Sequence, residues 1–362
     1  MRFYNPPTPF YLLVFFLAFI QHILTPLLVN GQNKVTLSGY VKDQETGEDL
    51  IGVNIYTPDK QAGTLTNTYG YFALSLPKNN DSIVVVYSFV GYEEKSITIL
   101  ASQDQMVQLY LTGRANNLEE VVVKAETIEE KLNSTQMSVE KLTMEEVKNI
   151  PVIFGEVDII KVLQLKPGVK SGGEGQAGLF VRGGGNDQNL VMLDDVLIYN
   201  PTHLFGFFSV FNPDALKGVD LYKGDFPAQF GGRLSSILDV KLREGNQRKF
   251  SVSGGVGLIA SRFTVEGPIQ RDKSSFILSG RRTYVDIFTR LVNEANKGDR
   301  NFSPIPDYYF YDLNLKANYA IGKKDRIFLS GYFGRDVFGF RQNNFNFTFR
   351  WGNSSIALRW NR

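Results

Sequence analysis

After Gly245 the chain alternates apolar and polar side chains with a period of two and keeps doing so for 117 residues, which commits that part to β-sheet. Phe250, Val252, Gly254, Val256 and Leu258 alternate with Ser251, Ser253 and Gly255. Tyr309, Tyr311, Leu313, Leu315, Ala317, Tyr319 and Ile321 alternate with Phe310, Asp312, Asn314, Lys316, Asn318 and Ala320. Phe345, Phe347, Phe349 and Trp351 alternate with Asn346, Thr348 and Arg350. One apolar and one polar face, with aromatics near the ends, is the pattern of a barrel wall with lipid outside and a lumen inside. The spacing predicts seven strands, near 248–258, 261–268, 274–284, 308–321, 325–336, 344–351 and 355–362. Gly322-Lys323-Lys324-Asp325 and Gly352-Asn353 read as tight connections and 285–307 as a long one. A soluble antiparallel sandwich is the other architecture that this period allows.

Composition agrees with a membrane wall and excludes several functions. Gly 34, Phe 28 and Tyr 17 exceed ordinary soluble usage. With Cys 0 and His 2, disulfide frameworks, thiol catalysis and Cys/His zinc sites are not available. Lys+Arg 39 against Asp+Glu 37 gives a net charge of +2, so the electrostatic footprint of a general nucleic-acid binder is missing. No cofactor and no metal site is expected.

The amino terminus reads as an address. After Arg2, the run from Phe10 to Ile20 is continuously apolar, and Val29-Asn30-Gly31 ends the segment, so residues 1–31 have the layout of a cleaved secretory signal. A membrane-anchoring helix is the competing reading, but Gln21, His22 and Pro26 interrupt it.

Residues 34–113 carry short alternating strands separated by turn signals at Glu45-Thr46-Gly47, Pro58-Asp59, Tyr69-Gly70 and Lys78 to Asp81, the layout of a small β-sandwich. GYVKDQETGEDLIGVNIY, TNTYGYFALSLP and VYSFVGY resemble the carboxypeptidase-regulatory-like, transthyretin-like domain. An accompanying carboxypeptidase is not expected, because His203 is the one histidine after the leader and a catalytic zinc ordinarily needs three protein ligands.

In the linker 114–135, Leu118, Glu119, Glu120, Val121, Val122, Val123, Lys124 and Ala125 form a β-prone run between polar stretches. Such a segment can add as a strand to a partner's sheet. It can equally be a last strand of the sandwich or an ordinary linker.

Residues 136–245 read as an α+β domain. Thr143 to Glu146 has capping-box spacing for a short helix, Glu156 to Leu165 carries Val157, Ile160 and Leu163 on one face, and Asn212-Pro213-Asp214 caps a further turn. PGV, GLFVRGGGNDQNLVMLDDVLIYNP and VFNPDALKGVDLYKGDFPAQFGGRLSSILDVKLREG resemble the plug domain of TonB-dependent outer-membrane receptors. Gly232 to Val240 departs from the ending of the glycan-importing, SusC-like subgroup.

The resemblance implies a mainly β receptor without chemistry of its own: sandwich, plug, then the first strands of a transmembrane barrel. It places the TonB box at Leu118 to Ala125, with TonB, ExbB and ExbD as energy-coupling partners, and it leaves room for a surface lipoprotein. It makes Arg182, in the VRG motif, part of an ionic lock between plug and wall. The family's second lock arginine falls on Gln229, for which Arg233 is the substitute. Ligand contacts are expected at the plug apices, Gly183, Gly184, Gly185, Asn186 and Asp187, and in the following loop, Asn200, His203, Phe205 and Phe208.

Three decoys are set aside. Gly173 to Gly178 satisfies GxGxxG but lacks the strand before it and the helix after it that a dinucleotide site needs. Asp194 and Asp195, as neighbours on a strand, point to opposite faces and read as a strand-end turn. His203, beside Leu204 and Phe205, reads otherwise as a packed loop residue.

Size sets the last expectation. Seven strands cannot enclose a plug, since ~22 are needed, so the chain is expected to be the amino-terminal part of a larger receptor for a siderophore, vitamin, oligosaccharide or peptide. A signalling receptor that imports nothing and a secreted adhesion protein are the alternatives.

Overall fold

The computed structural model describes residues 34–79, 81–114, 139–148, 150, 156–173, 178–299, 301–322, 325–342 and 345–362. Residues 1–31, where a secretory signal is expected, and the segment Leu118 to Ala125 lie outside the described residues.

The sandwich comprises β1 (Lys34–Asp43), β2 (Asn54–Tyr56), β3 (Gly63–Leu65), β4 (Tyr71–Pro77), β5 (Ser82–Ser88), β6 (Lys95–Leu100) and β7 (Gln105–Leu111). They form sheets of order β4-β1-β7 and β3-β2-β5-β6. Alternation puts Val35, Leu37 and Val41 of β1 and Phe72, Leu74 and Leu76 of β4 between them, with Val85 and Tyr87 of β5 opposite.

The plug is built on a mixed sheet of order β12-β11-β16-β15-β8. Its strands are β8 (Val139–Thr143), β11 (Asn189–Leu193), β12 (Val196–Leu197), β15 (Leu216–Tyr222) and β16 (Ser236–Leu242), while β9 (Val169–Lys170) pairs with β10 (Phe180–Val181) and β13 (Thr202–His203) with β14 (Phe208–Ser209). The expected capping box forms: Thr143 N–H donates to Glu146 Oε2 at 3.1 Å, and Glu146 N–H donates to Thr143 Oγ1 at 3.3 Å, opening α1 (Met144–Lys148). Helix α2 runs only over Ile159–Gln164, shorter than the expected 156–165, because Asp158 caps it. Ile159, Ile160, Val162 and Leu163 pack on Leu221, Leu238 and Val240 of the sheet. Asp194 and Asp195 are the β11–β12 turn, with φ of 47° and 71°.

The third part is one open antiparallel sheet in chain order: β17 (Ser251–Val256), β18 (Ala260–Gln270), β19 (Ser274–Thr283), β20 (Asp307–Ala320), β21 (Arg326–Gln342) and β22 (Phe345–Asn361). On β20, Tyr308, Phe310, Asp312, Asn314, Lys316 and Asn318 are buried against the plug, while Leu313, Leu315 and Tyr319 are exposed on the other face. The chain is thus mainly β, with a barrel wall following the plug, and the described wall does not close on itself.

One expectation for the wall holds with an added feature and one is corrected. The long connection 285–307 contains a helix, α3 (Val285–Ala295). The last two expected strands are one, with unbroken pairing from Arg326↔Asn361 to Gln342↔Phe345, so Gly352-Asn353 is no turn. Gly352 is there for close strand approach, since a Cβ would lie 2.0 Å from Gly334 O. The apparent break is a change of face. Trp351 and Arg359 lie on the plug side, whereas Ile356, Leu358 and Trp360 lie on the outer side.

Candidate functional site

The plug reaches the wall through the β13–β14 hairpin, whose tip of Leu204, Phe205 and Gly206 holds φ of 50°, 51° and 100°. Two successive non-glycine residues, Leu204 and Phe205, in the left-handed region need an external tie. His203 supplies it. The imidazole is 1% exposed, stacks on Phe310 at 4.1 Å, and places Nδ1 2.6 Å from Asp336 Oδ2 and Nε2 2.7 Å from Asp312 Oδ1. Arg281 completes the cluster, with Nε at 2.9 Å and Nη2 at 2.6 Å from Asp312 Oδ2, and Nη2 also donating to Ser209 O at 2.8 Å. Tyr332 donates to Asp312 Oδ1 at 2.8 Å, Tyr308 bonds Asp336, and Leu204 N–H donates to Asp336 Oδ1 at 3.0 Å.

Burial alone would push the imidazole down, but the Asp312 and Asp336 carboxylates outweigh it and push His203 up to about 9. With both ring nitrogens engaged by carboxylates, the cation forms a two-sided latch and keeps no lone pair for a metal.

Further contacts run down the same face of the wall. Asn353 Nδ2 donates to Asn200 O at 2.7 Å, Asn212 Nδ2 to Ser279 Oγ at 2.8 Å, and Lys316 Nζ lies 2.9 Å from Asp194 Oδ2. Arg262 pairs with Asp214 at 2.9 Å and Arg359 with Asp195 at 2.7 Å. Burial opposes the Asp195 charge, yet Lys241 and Arg359 hold its carboxyl below the usual range.

The structure adds a second set of plug–wall contacts to the expected ones. Arg182 is exposed on the plug at φ 48°, beside Gly168 and Gly224, and Arg233 is exposed with Nη1 on Gly232 O at 3.1 Å. Buried ion pairs joining plug to the described wall are made by His203, Asp194, Lys316, Asp312 and Asp336. His203 and Phe208, two of the expected ligand contacts, are buried at the foot of the hairpin.

Three of the expected contacts do converge. Asn186, Asn200 and Phe205 line a cavity of about 310 Å³ together with Gly178, Phe180, Thr202, Gly206 and Trp351. Phe205 leans on the wall aromatics, 5.0 Å from Trp351 and 5.7 Å from Phe338 between ring centres. The alternation places Trp351 on the apolar, lipid-side face, whereas the structure turns it to the plug against Phe205. Gly183 and Gly184 line a second hollow of about 390 Å³ with Arg182 and Lys223. Gly185 donates to Gln188 Oε1 at 3.1 Å, and Asp187 is exposed beside it.

A model of the CarboxypepD_reg-like domain matches residues 37–123, reaching into the 118–125 segment, and a model of the TonB-dependent Receptor Plug Domain matches residues 131–236. The chain carries the plug of a TonB-dependent receptor. It is 28% identical over 240 residues to the TonB-dependent receptor SusC of Bacteroides thetaiotaomicron, a match covering 62% of this chain and 23% of that protein. It is 30% identical over 111 residues to a TonB-dependent receptor of Formosa agariphila, covering 31% of this chain and 10% of the relative. The matched stretches thus span under a quarter of these relatives. The outer membrane transporter YddB of Escherichia coli superposes with a TM-score of 0.44 at 14% identity, over 62% of this chain and 36% of that one. The similarity to SusC extends over these 240 residues beside the departure read at Gly232 to Val240.

Proposed function

We propose that this chain works as a TonB-dependent receptor in the outer membrane, capturing a scarce nutrient outside the cell and releasing it inward when the TonB complex pulls on Leu118 to Ala125. The observation that carries the reading is a plug hairpin tied to a barrel wall by a buried His203 latch, with a cavity between that hairpin and the wall. The cavity lies toward the end of the wall opposite the sandwich: Trp351 lines it, and Arg359, eight residues on, covers the sandwich residue Tyr69 at 4.4 Å. At a strand rise of ~3.4 Å those positions are ~27 Å apart. Its described lining of amides, a threonine hydroxyl and aromatic rings bears no formal charge and suits an uncharged polar ligand that stacks on Phe205 and Trp351.

In physical terms the partner adds a strand to residues 118–125, force enters the plug ahead of edge strand β8, and the latch resists until it yields. ExbB and ExbD energise the partner, and no catalytic step is required of this chain. Capture of the full chain on an immobilised TonB carboxy-terminal domain tests this. Val122→Pro removes a backbone donor and is expected to lower capture at least ~10-fold. Undiminished capture would take 118–125 out of the mechanism, and absence of cell-associated uptake of labelled oligosaccharides, peptides and siderophores would favour a sensor over an importer.

A further inference from the structure

Helix α3 is inside out. Its polar side faces the protein: Asp286, 1% exposed, pairs with Arg282 at 3.2 Å and Arg290 at 3.4 Å, Thr289 donates to Asp307 Oδ1 at 3.0 Å, and Asn293 exchanges two 2.8 Å bonds with the backbone of Ile305. On the opposite side Ile287, Phe288, Leu291 and Val292 are exposed by 48%, 52%, 64% and 41%. A surface helix in water does the reverse, turning its apolar stripe inward. These ties also fix the stripe's direction.

The helix stands at the rim of the outward wall face. Arg282, which binds Asp286, is on that face and lies over the outward ring of Tyr309 at 4.9 Å. Outward positions on β20 run from Tyr309 and Tyr311 through Leu313 and Leu315 to Tyr319. Ten residues at ~3.4 Å, tilted ~40°, span ~26 Å, close to the ~25 Å apolar band bounded by aromatic girdles in membrane barrels. Tyr309 and Tyr311 then form the outer girdle. Since Arg282 pairs with Tyr311 in the ladder, α3 begins at that girdle.

We propose that α3 is an interfacial anchor whose Ile287, Phe288, Leu291 and Val292 stripe enters the headgroup–acyl boundary of the outer leaflet, while Arg282 and Arg290 meet lipid phosphates. The proposal rests on the membrane-wall reading above. Continuity with the lipid face, rather than with the cavity, selects a lipid surface over a protein partner.

The chain has Cys 0, so single labels are unambiguous. Nitroxides at Leu291→Cys, Leu313→Cys and Lys297→Cys are read in outer-membrane vesicles from cells expressing the full chain, with dissolved oxygen and a water-soluble nickel chelate as relaxants. Oxygen is expected to relax the Leu291 and Leu313 labels severalfold more than the chelate, with the order reversed at Lys297. Chelate dominance at Leu291 with oxygen dominance at Leu313 would overturn the anchor alone. Shielding of Leu291 from both relaxants would do the same in favour of a protein cover. Chelate dominance at Leu313 would sink the wall reading and the anchor with it.

Discussion

His203 joins plug and wall through two carboxylates from different strands, so its protonation sets how firmly the hairpin is held. Its folded-state value, about 9, lies above the ~6.5 of a free imidazole. A raised value means that the stabilisation is complete below pH ~6.5 and is lost as pH rises through 9, an interval worth roughly 3 kcal/mol. Chemical denaturation of the full chain in detergent, followed from pH 6 to 9.5, should show that loss, and His203→Gln should be flat across the same window. At pH 6 the variant should also be less stable by ~3–5 kcal/mol, because two buried carboxylates lose their shared cation while Arg281 still serves one of them. Parallel profiles for the two proteins would remove His203 as a charged latch.

At the scale of elements, Asp158 shows how a six-residue helix is held. Oδ1 accepts from Lys161 N–H at 3.2 Å as an N-cap, and Oδ2 accepts from Ser209 N–H at 2.6 Å, tying α2 to the latch hairpin. Asp158→Ala should cost ~2–4 kcal/mol, the sum of a lost cap and a buried backbone donor left unpaired, and Asp158→Asn should recover about half. Equal melting midpoints for the two variants would refute the double role. The cap box at Thr143, the Asn212 cap and the period of the wall strands were legible in sequence, because each is a local pattern with a local cause. The Phe345 to Asn361 strand was not. Its apolar residues occupy odd positions to Trp351 and even ones from Ile356, so a single strand mimics two separated by a turn. The odd aromatics serve the hairpin and the even ones the outer face, a division visible only once Phe205 and Trp351 are in contact. Likewise Asp312 reads as one more polar residue of the lumen face and Asp336 carries no local signal, since their partner His203 precedes them by 109 and 133 residues.

Over the whole molecule, the sandwich sits on the peptide that joins plug to wall. Gln247 N–H donates to Thr46 O and Glu244 N–H to Glu48 Oε1, both at 2.7 Å, and Arg326 at the start of β21 bonds Asp49 and stacks over Tyr40 at 5.1 Å. Burial disfavours the Glu244 charge, but Lys217, Lys316, Arg326 and Lys42 pull its carboxyl down to about 2, so the junction stays ionic at neutral pH. A near-neutral chain thus concentrates its charge where three parts meet. Asp49 is fully buried and leans on Lys42 at 3.1 Å as well as on Arg326. Arg326→Met should leave Asp49 paired within the sandwich while cutting its tie to the wall. The sandwich would then keep its fold and loosen from the rim. A cysteine pair at Gly47 and Gln247 reads this out, because a Cβ on Gly47 would lie 3.2 Å from the Gln247 Cβ, near the ~3.5–4.5 Å of a disulfide. Gly47 holds φ +74°, so its cysteine carries a strain of ~1–2 kcal/mol, present in both backgrounds and cancelling in the comparison. The cross-link should form in the otherwise unchanged chain and fall severalfold with Arg326→Met. An unaltered yield would mean that the backbone bonds at Thr46 and Glu244 hold the sandwich without the arginine.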